Sequence, residues 1–532
     1  MALVVVGSSS SSRSTNSLLE ESIADVAALV DAWRSDENEP FSLFLHGGVV
    51  EARRFMSAAV ELHRAMLLLA SDVDDILERG ERLVRAQEVL ESAMARLQLE
   101  LGILLSAISG DDDDDVIDHI RLVAEAMMGA GYGVECVTTF KSHRRAEFAA
   151  AVRHLLGYSP SQHATFHKLA WDDVGGKVRT WHTAAGFAFN FAFSGERALC
   201  RRVFAAAADV ADRVFEGIAV DHAADLLAVA ESVVSRARRR NAPERLFHVL
   251  DVHATLVEIL PAVVSVLGEK SDAAARAAAA LRNAGEAARG ILVGFEDAIQ
   301  KATSSSKSTA AVHPLTRYVM NYLVLLADYD ETLARIYQQA RISGDASPEY
   351  SSISRLLSVL LRKLDAMAGR HRSPAMRSLF MANNTHYVGK KVRGSDKLEG
   401  VVGGGEDWST EEETRRHVDA FVHVAWRGVL VVGGEGADVA VREAVAAQRR
   451  WVVADDELGD VIRNAAAAAV VPAYRALYRR HGTASWMTPG DVSAAIGRLF
   501  GGTRVAVEGA TPRRHRLRLP SSSSSLDKLA HE

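Results

Sequence analysis

Residues 83–104 carry the clearest helical pattern of the chain and read LVRAQEVLESAMARLQLELGIL. After a first step of seven residues, the apolar positions follow at steps of four, three, four and three, which keeps them on one side of a helix. A free coiled coil needs more heptads than this segment offers, so the spacing predicts a helix that faces the core of a bundle. The residues of this apolar stripe are Leu83, Leu90, Met94, Leu97, Leu101 and Leu104.

Helical patterns continue on both sides of this stripe. Before it, a Ser-rich tract over residues 7–17 predicts disorder, and short helices follow over about 18–33 and 51–70. From Val116 onward about fourteen helices are joined by short links that contain Gly, Ser or Pro, and two of them are predicted over 195–215 and 218–240. Only 11 prolines interrupt the 532 residues, which favours long helices. These patterns predict an all-α fold, an elongated rod of stacked antiparallel helices.

The segment 187–193 is ambiguous on its own. Its residues Phe187, Phe189, Phe191 and Phe193 alternate as they would in a strand, but they also form two i,i+4 pairs. Because the flanking sequence is helical, we predict a helix here as well.

Composition excludes several classes of protein. A formal net charge of −6 argues against a general nucleic-acid binder. The two cysteines, Cys136 and Cys200, cannot form a disulfide framework, which predicts a reducing, cytoplasmic setting. There is no run of about 18 uncharged apolar residues, so we expect no membrane span and only peripheral contact with a membrane.

The sequence also offers little that resembles an active site. His163 and His167 are four residues apart, but no third ligand is spaced to complete a metal site with them. The glycine-rich stretch Gly129–Gly133 follows a predicted helix instead of a strand, so we interpret it as a link between helices and not as a dinucleotide-binding turn. We therefore predict a protein that is not an enzyme and holds no metal or cofactor.

The stretch HPLTRYVMNYL, His313 to Leu323, resembles a signature of the plant Exo70 family almost letter for letter. Pro314 suits the first turn of a helix, and Val319, Tyr322 and Leu323 fall on one face that should be buried. Other stretches resemble the family in the same order over about residues 80–510: AMARLQLEL (93–101), MMGAGYGVECVTTFKSHRR (127–145), WDDVGGKVRTW (171–181), RSLFMANNTHYVGKKV (377–392), QRRWVVADDEL (448–458), VPAYRALYRRHG (471–482) and TPGDVSAAIGRLFGG (488–502).

This resemblance implies a helical rod of the cullin-repeat type, without catalysis or a cofactor. It implies a role in exocytosis, in which the protein tethers secretory vesicles at the plasma membrane and its C-terminal region binds phosphoinositides such as phosphatidylinositol 4,5-bisphosphate. The implied partners are the other exocyst subunits, an anionic phosphoinositide membrane and small GTPases. The residues that match the family signature, to which we assign a structural role, are His313, Pro314, Leu315, Thr316, Arg317, Tyr318, Asn321 and Tyr322.

The resemblance also suggests a division of the chain. We expect a shortened, partly disordered N-terminal region over 1–80, two parts of the helical rod over 81–310 and 311–510, and a basic, disordered tail over 511–532. Relatives carry a longer N-terminal region that joins the complex, so weakened engagement with the exocyst is expected. The alternative function is a specialised adaptor in plant defence signalling, bound by immune receptors or pathogen effectors outside the assembled exocyst. Ala454 and Gly459 stand where many relatives have Pro and Arg.

Three basic groups are candidate lipid contacts. Arg479 and Arg480 end one helix, where attraction to the helix dipole is the simpler explanation for them. The tail from 511 to 532 contains five Lys and Arg residues but only two acidic residues. Several basic residues next to anionic lipid contribute about 1 kcal/mol each. The residues that we predict to bind lipid are Lys390, Lys391 and Arg393 at the end of another helix, and Arg513, Arg514, Arg516 and Arg518 in the tail.

Overall fold

The computed structural model describes residues 9–33, 42–71, 76–108, 114–157, 171–239, 242–303, 311–342, 344, 352–403, 410–483 and 485–500. None of these residues lies in a β-strand, and the predicted all-α fold class is confirmed. Their α-helices are α1 Ser9–Ala32, α2 Gly48–Ala70, α3 Ile76–Ala107, α4 Asp114–Gly129, α5 Gly133–Leu156, α6 Trp171–Phe187, α7 Phe193–Val203, α8 Ala208–Arg238, α9 Leu246–Leu267, α10 Asp272–Lys301, α11 Pro314–Leu326, α12 Asp330–Ile342, α13 Ser352–Ala368, α14 Pro374–Arg393, α15 Asp396–Gly403, α16 Thr410–Ala425, α17 Ala437–Gln448, α18 Asp456–His481 and α19 Pro489–Gly497.

The chain forms two compact units. Unit 1 comprises Met1–Val233 and Ala254–Arg282, and unit 2 comprises Val234–His253 and Asn283–Glu532. Helices α8, α9 and α10 each contribute residues to both units. The division of the rod at residue 310, which the resemblance suggested, stays a prediction.

The apolar stripe of α3 lies in the core of unit 1. Leu83 is half-buried, while the other five residues of the stripe are at most 4% exposed, as expected for a core-facing helix. Helix α1 packs against α2 and α3, and its buried side chains are Leu19, Ile23, Val26 and Leu29. This helix begins at Ser9, inside the tract that we expected to be disordered. A packed apolar stripe a few residues downstream stabilises helix even where Ser has little intrinsic preference for it.

Glu100 ties the chain before α2 to α3. Its fully buried carboxylate accepts hydrogen bonds from the Ser42 hydroxyl at 2.6 Å, the Leu43 N–H at 2.8 Å and the Arg96 guanidinium at 3.2 Å. Removing a carboxylate so fully satisfied would leave several buried donors without an acceptor. The N-terminal helices are thus fixed to the unit by a polar network as well as by apolar packing.

Two helix boundaries show how packing decides local structure. Residues 187–193 are helical as predicted, with a π-helical turn at Ala188–Ala192 between α6 and α7. The predicted break near Gly217 is wrong, because Gly217 lies inside α8 and the chain instead breaks between α7 and α8. A Cβ at Gly217 would lie 2.8 Å from Cδ of Lys141. This glycine therefore lies against the Lys141 side chain inside a helix and does not end one.

Among the described residues, one helical stretch, Pro243–Leu267, is long and apolar enough to span a membrane by length and composition. Its mean hydropathy is 1.7, and 44% of the stretch is buried inside the protein. Asp251 and Glu258 interrupt it, while residues such as Leu250 and Leu256 are fully buried. Core helices pass the same test, so the feature is weak evidence for a membrane span.

In unit 2, Asn384 on α14 caps the start of α11. Its carbonyl oxygen accepts hydrogen bonds from the His313 N–H at 2.9 Å and from the Thr316 hydroxyl at 2.7 Å. Its amide group donates to the Phe380 carbonyl oxygen, and the side chain is fully buried. His313 is itself the N-cap residue, with Nδ1 accepting from the Leu315 N–H. The start of α11 is therefore fixed by α14.

The neighbouring Asn383 makes the matching contact with another segment. Its amide group donates to the Val452 carbonyl oxygen at 3.0 Å, and its carbonyl oxygen accepts from the Ala454 N–H at 2.6 Å. Proline has no backbone N–H, so the second bond is available to this chain because residue 454 is Ala. The two asparagines join three of the stretches that carry the family resemblance, and we call this arrangement the Asn junction.

Asp455 begins α18 directly after the Asn junction. Its carboxylate accepts from the Leu458 N–H at 3.0 Å, as an N-cap, and lies 2.8 Å from Nζ of Lys390 and 3.0 Å from Nε2 of His386. Burial alone would raise the pKa of Asp455, but the bonds from Lys390 and Leu458 together lower it below its ordinary value. Its ionised form therefore stabilises the folded state.

We expect Asn384→Ala to lower the free energy of unfolding by about 2–4 kcal/mol, because two buried donors lose their acceptor. Chemical denaturation of the purified chain measures this change. Ser358→Ala is the matched control, since it also removes a side-chain hydrogen bond within unit 2, but at an exposed position of α13. The control should stay within about 0.5 kcal/mol of the wild type. Equal effects of the two substitutions would contradict the role of the Asn junction.

We expect Asp455→Asn to destabilise the protein at pH 7 by about 1 kcal/mol, since Asn preserves the cap but not the charged contacts. The carboxylate has a lowered pKa in the folded state, so its contribution is present above about pH 4 and is lost as the pH falls through the folded pKa. Melting temperatures of wild type and variant should therefore converge as the pH falls below about 4 and through the lowered pKa of the folded state. Asp456→Asn removes the same charge from the same turn, at an exposed residue, and should show no such convergence. A difference in melting temperature between wild type and Asp455→Asn that does not change with pH would contradict this assignment.

Candidate functional site

The three basic residues that end α14 have different surroundings. Nζ of Lys390 lies 2.8 Å from a carboxylate oxygen of Asp455, and the guanidinium of Arg393 lies 3.1 Å from that of Glu411. Lys391 has no acidic partner within the part of the chain that the structure describes. Two of the three predicted lipid contacts are therefore engaged in ion pairs within unit 2, and one cation remains available to a ligand.

Lys391 shares the ring of Tyr387 with a second cation. Nζ of Lys391 and Cζ of Arg317 lie 6.0 and 5.5 Å from the centroid of the same ring, that of Tyr387. Arg317 is exposed, and it too has no acidic partner among the described residues. Cation–π contacts of this length hold both side chains near the ring without neutralising their charge. We call these three residues the Tyr387 cluster.

The Tyr387 cluster has the chemistry of an anion site. Burial raises the pKa of the Tyr387 phenol above its ordinary value, although Arg317 opposes the shift, so the hydroxyl is neutral at physiological pH and can donate a hydrogen bond. Two charged donors and one neutral donor suit a phosphate group.

Lys391 is a predicted lipid ligand because of its position at a helix end. The sequence assigns Arg317 to the structural signature and does not place it at the Tyr387 ring, because that contact depends on how α11 and α14 pack.

The remaining predicted basic contacts are placed as follows. Arg479 and Arg480 lie exposed in the last turn of α18, where the helix dipole favours them. Arg513, Arg514, Arg516 and Arg518 lie outside the described residues, as do His163 and His167. The lipid contacts of the tail therefore stay a prediction.

One group of potential metal ligands comes together among the described residues. Atoms of His386, Asp455 and Glu457 lie within 4.8 Å of one another. The ammonium of Lys390 already neutralises Asp455, and the start of α18 presents the positive end of a helix dipole to this site. Both effects oppose a second cation, so we assign no metal to this group.

The cysteines offer no reactive site. Cys136 and Cys200 are fully buried, and desolvation raises the pKa of both thiols to about 12. A thiol must ionise to act as a nucleophile or a redox centre. Both residues therefore act as small apolar side chains of the core of unit 1.

Comparison with known proteins gives a consistent result. The model of a protein family, described as the C-terminal part of the Exo70 component of the exocyst complex, matches residues 179–432 and 439–495. The chain is 25% identical to exocyst complex component EXO70A1 of Arabidopsis thaliana over 402 residues, 69% of this chain and 62% of that protein. It is 27% identical to EXO70B2 of the same plant over 493 residues, 81% of this chain and 80% of that protein. The alignment thus spans less than two thirds of EXO70A1.

The fold is also similar to a solved one. The crystal structure of the S. cerevisiae exocyst component Exo70p superposes with a TM-score of 0.66, covering 91% of this chain and 100% of that chain at 12% identity. At this identity the likeness shows the shared fold alone, and it agrees with the predicted fold class. The family is one of complex subunits and not of enzymes, in agreement with the prediction of a non-enzymatic protein. Since the family model accounts for more than half of its 532 residues, the chain belongs to the Exo70 family of exocyst subunits.

Proposed function

We propose that this protein is an exocyst-type tethering subunit, which docks secretory vesicles at the plasma membrane through contacts with phosphoinositides and with other proteins. The observation that carries the proposal is the family match over residues 179–432 and 439–495. The protein would be cytoplasmic and recruited peripherally to the membrane. The absence of a catalytic constellation in the sequence is compatible with such a role.

The Tyr387 cluster and the basic tail are the proposed membrane contacts. Arg317 and Lys391 offer two charges that no acidic side chain of the described residues neutralises. Four arginines of the tail, Arg513 to Arg518, add to them. At about 1 kcal/mol per basic residue near anionic lipid, such a set is sufficient for reversible peripheral attachment. Polyphosphorylated inositol headgroups carry the phosphate groups that the cluster fits.

The other exocyst subunits are the proposed protein partners, with weakened engagement. Helices that join subunits side by side need an apolar seam that is free to pair. The apolar stripes of α1 and α3 are already buried within unit 1, from Leu19 to Leu29 and from Leu90 to Leu104. The alternative function, a defence adaptor that works outside the assembled exocyst with immune receptors or effectors, would require even less of such a seam.

We expect the double variant Arg317→Gln with Lys391→Gln to bind vesicles containing phosphatidylinositol 4,5-bisphosphate roughly tenfold more weakly than wild type. Vesicle sedimentation at several salt concentrations measures this, and the loss should shrink as salt rises. The matched control is Lys390→Gln with Arg393→Gln, which removes the same charge from the same region but from residues already in ion pairs. If the control loses as much affinity as the test variant, the headgroup does not select the Tyr387 cluster.

We expect the tagged chain to recover the other exocyst subunits in less than stoichiometric amounts, because its N-terminal apolar stripes are internal. EXO70A1, tagged and purified in the same way, is the reference. Replacing the residues before Leu83 with the N-terminal region of that relative should raise the recovery. Stoichiometric recovery by the unmodified chain would contradict weakened engagement and remove the main support for the adaptor alternative.

A further inference from the structure

Two valines stand exposed at a sharp corner between α16 and α17. The corner begins with a π-helical turn at Gly428–Val432 and ends at Gly436, where α17 follows. Val431 is 55% exposed and Val432 is 75% exposed, whereas Val429 in the same turn is 3% exposed and packs inward. We call the segment from Gly428 to Gly436 the valine corner. Together the two valines form a small exposed apolar tip.

The backbone of the valine corner is held rigidly. A Cβ at Gly428 would lie 2.8 Å from that of Ala440, so this residue must be glycine for the turn to approach α17. Gly433 and Gly434 have φ of +57° and +78°, values that side chains disfavour, and together they reverse the chain. The exposure of the valines is therefore a consequence of a defined turn, and not of a loosely packed loop.

Arginines are present on both elements that meet at the valine corner. Arg427 precedes the turn and is exposed. Gly433 packs on Leu477 of α18, and Arg480 follows Leu477 by one helical turn on the same side, beside Arg479. None of these three arginines has an acidic partner in the described parts of unit 2, and the corner contains one exposed acidic residue, Glu435. An apolar tip with three arginines and one exposed acidic residue on its adjoining elements is complementary to an anionic lipid surface.

We propose that the valine corner inserts into the interfacial region of an anionic bilayer, with Val431 and Val432 entering among the acyl chains and Arg427, Arg479 and Arg480 facing the headgroups. The proposal rests on the membrane contact of the proposed function and adds an apolar, salt-resistant part to it. The combination of exposed valines and nearby arginines favours an anionic bilayer as the occupant of this surface. Arg479 and Arg480 at the end of α18 would then bind lipid headgroups in addition to their favourable interaction with the helix dipole.

The first test compares wild type with the double variant Val431→Ser and Val432→Ser in sedimentation with phosphatidylcholine vesicles that contain phosphatidylserine and phosphatidylinositol 4,5-bisphosphate. The variant should fold normally, because both side chains are exposed. We expect it to bind about tenfold more weakly, because it loses the free energy of transferring two valine side chains from water into the acyl chains. This tenfold difference should persist at high salt. Binding equal to that of wild type would overturn the insertion while leaving the membrane contact in place.

The second test places a probe at the corner. Because Cys136 and Cys200 are buried, with thiol pKa values of about 12, a cysteine introduced by Val432→Cys can be labelled selectively with an environment-sensitive dye. The emission should shift to the blue when vesicles are added, while a dye introduced through Ser358→Cys on α13 should report water. A label at position 432 that still reports water when the protein sediments with vesicles would overturn the insertion. Failure of wild type to bind vesicles at all would overturn both the insertion and the membrane contact that we propose.

Discussion

Unit 2 depends on two adjacent asparagines whose side chains form hydrogen bonds with backbone groups of other segments. Asn383 and Asn384 follow each other on α14, so their side chains leave the helix about 100° apart and reach different neighbours. Asn384 completes the start of α11, and Asn383 completes the segment before α18. Each amide group has one donor and one acceptor side, and both sides are used in both residues. Buried amides that are paired on both sides fix position as well as contributing free energy, because a displacement breaks these hydrogen bonds.

The Asn junction connects three stretches that lie far apart in the sequence and carry the family resemblance. HPLTRYVMNYL supplies the capped start of α11, RSLFMANNTHYVGKKV supplies the asparagines, and QRRWVVADDEL supplies the segment from Val452 to Asp455. The same junction also influences which charged side chains at the nearby surface are paired. Asp455 follows the junction in the chain and forms an ion pair with Lys390. The packing of α11 on α14 brings Arg317 to the ring of Tyr387, which Lys391 also contacts. The proposed headgroup site is therefore a by-product of the packing that the motifs enforce.

The sequence predicts the parts of the structure that depend on local periodicity. The stripe of α3 and the buried face of α11, with Val319, Tyr322 and Leu323, follow from spacing alone. Prediction fails where the deciding contact lies far along the chain. The predicted break near Gly217 is wrong, and the Lys141 side chain that lies against this glycine cannot be inferred from local sequence. Lys390 is a candidate lipid ligand by sequence, but its partner Asp455 is 65 residues away. Charge identifies candidate ligands, but only packing shows which charges are already neutralised.

Single-residue amide hydrogen exchange at His313 and Ala454 tests the central role of the Asn junction most directly. Both N–H groups lie outside the hydrogen-bond ladder of any helix, and in the structure each donates to an asparagine side chain, at 2.9 and 2.6 Å respectively. Their protection therefore depends on the junction and on no neighbouring backbone. We predict that both amides exchange as slowly as amides in the interior of α14. Exchange at either amide as fast as in an unstructured peptide would contradict the account.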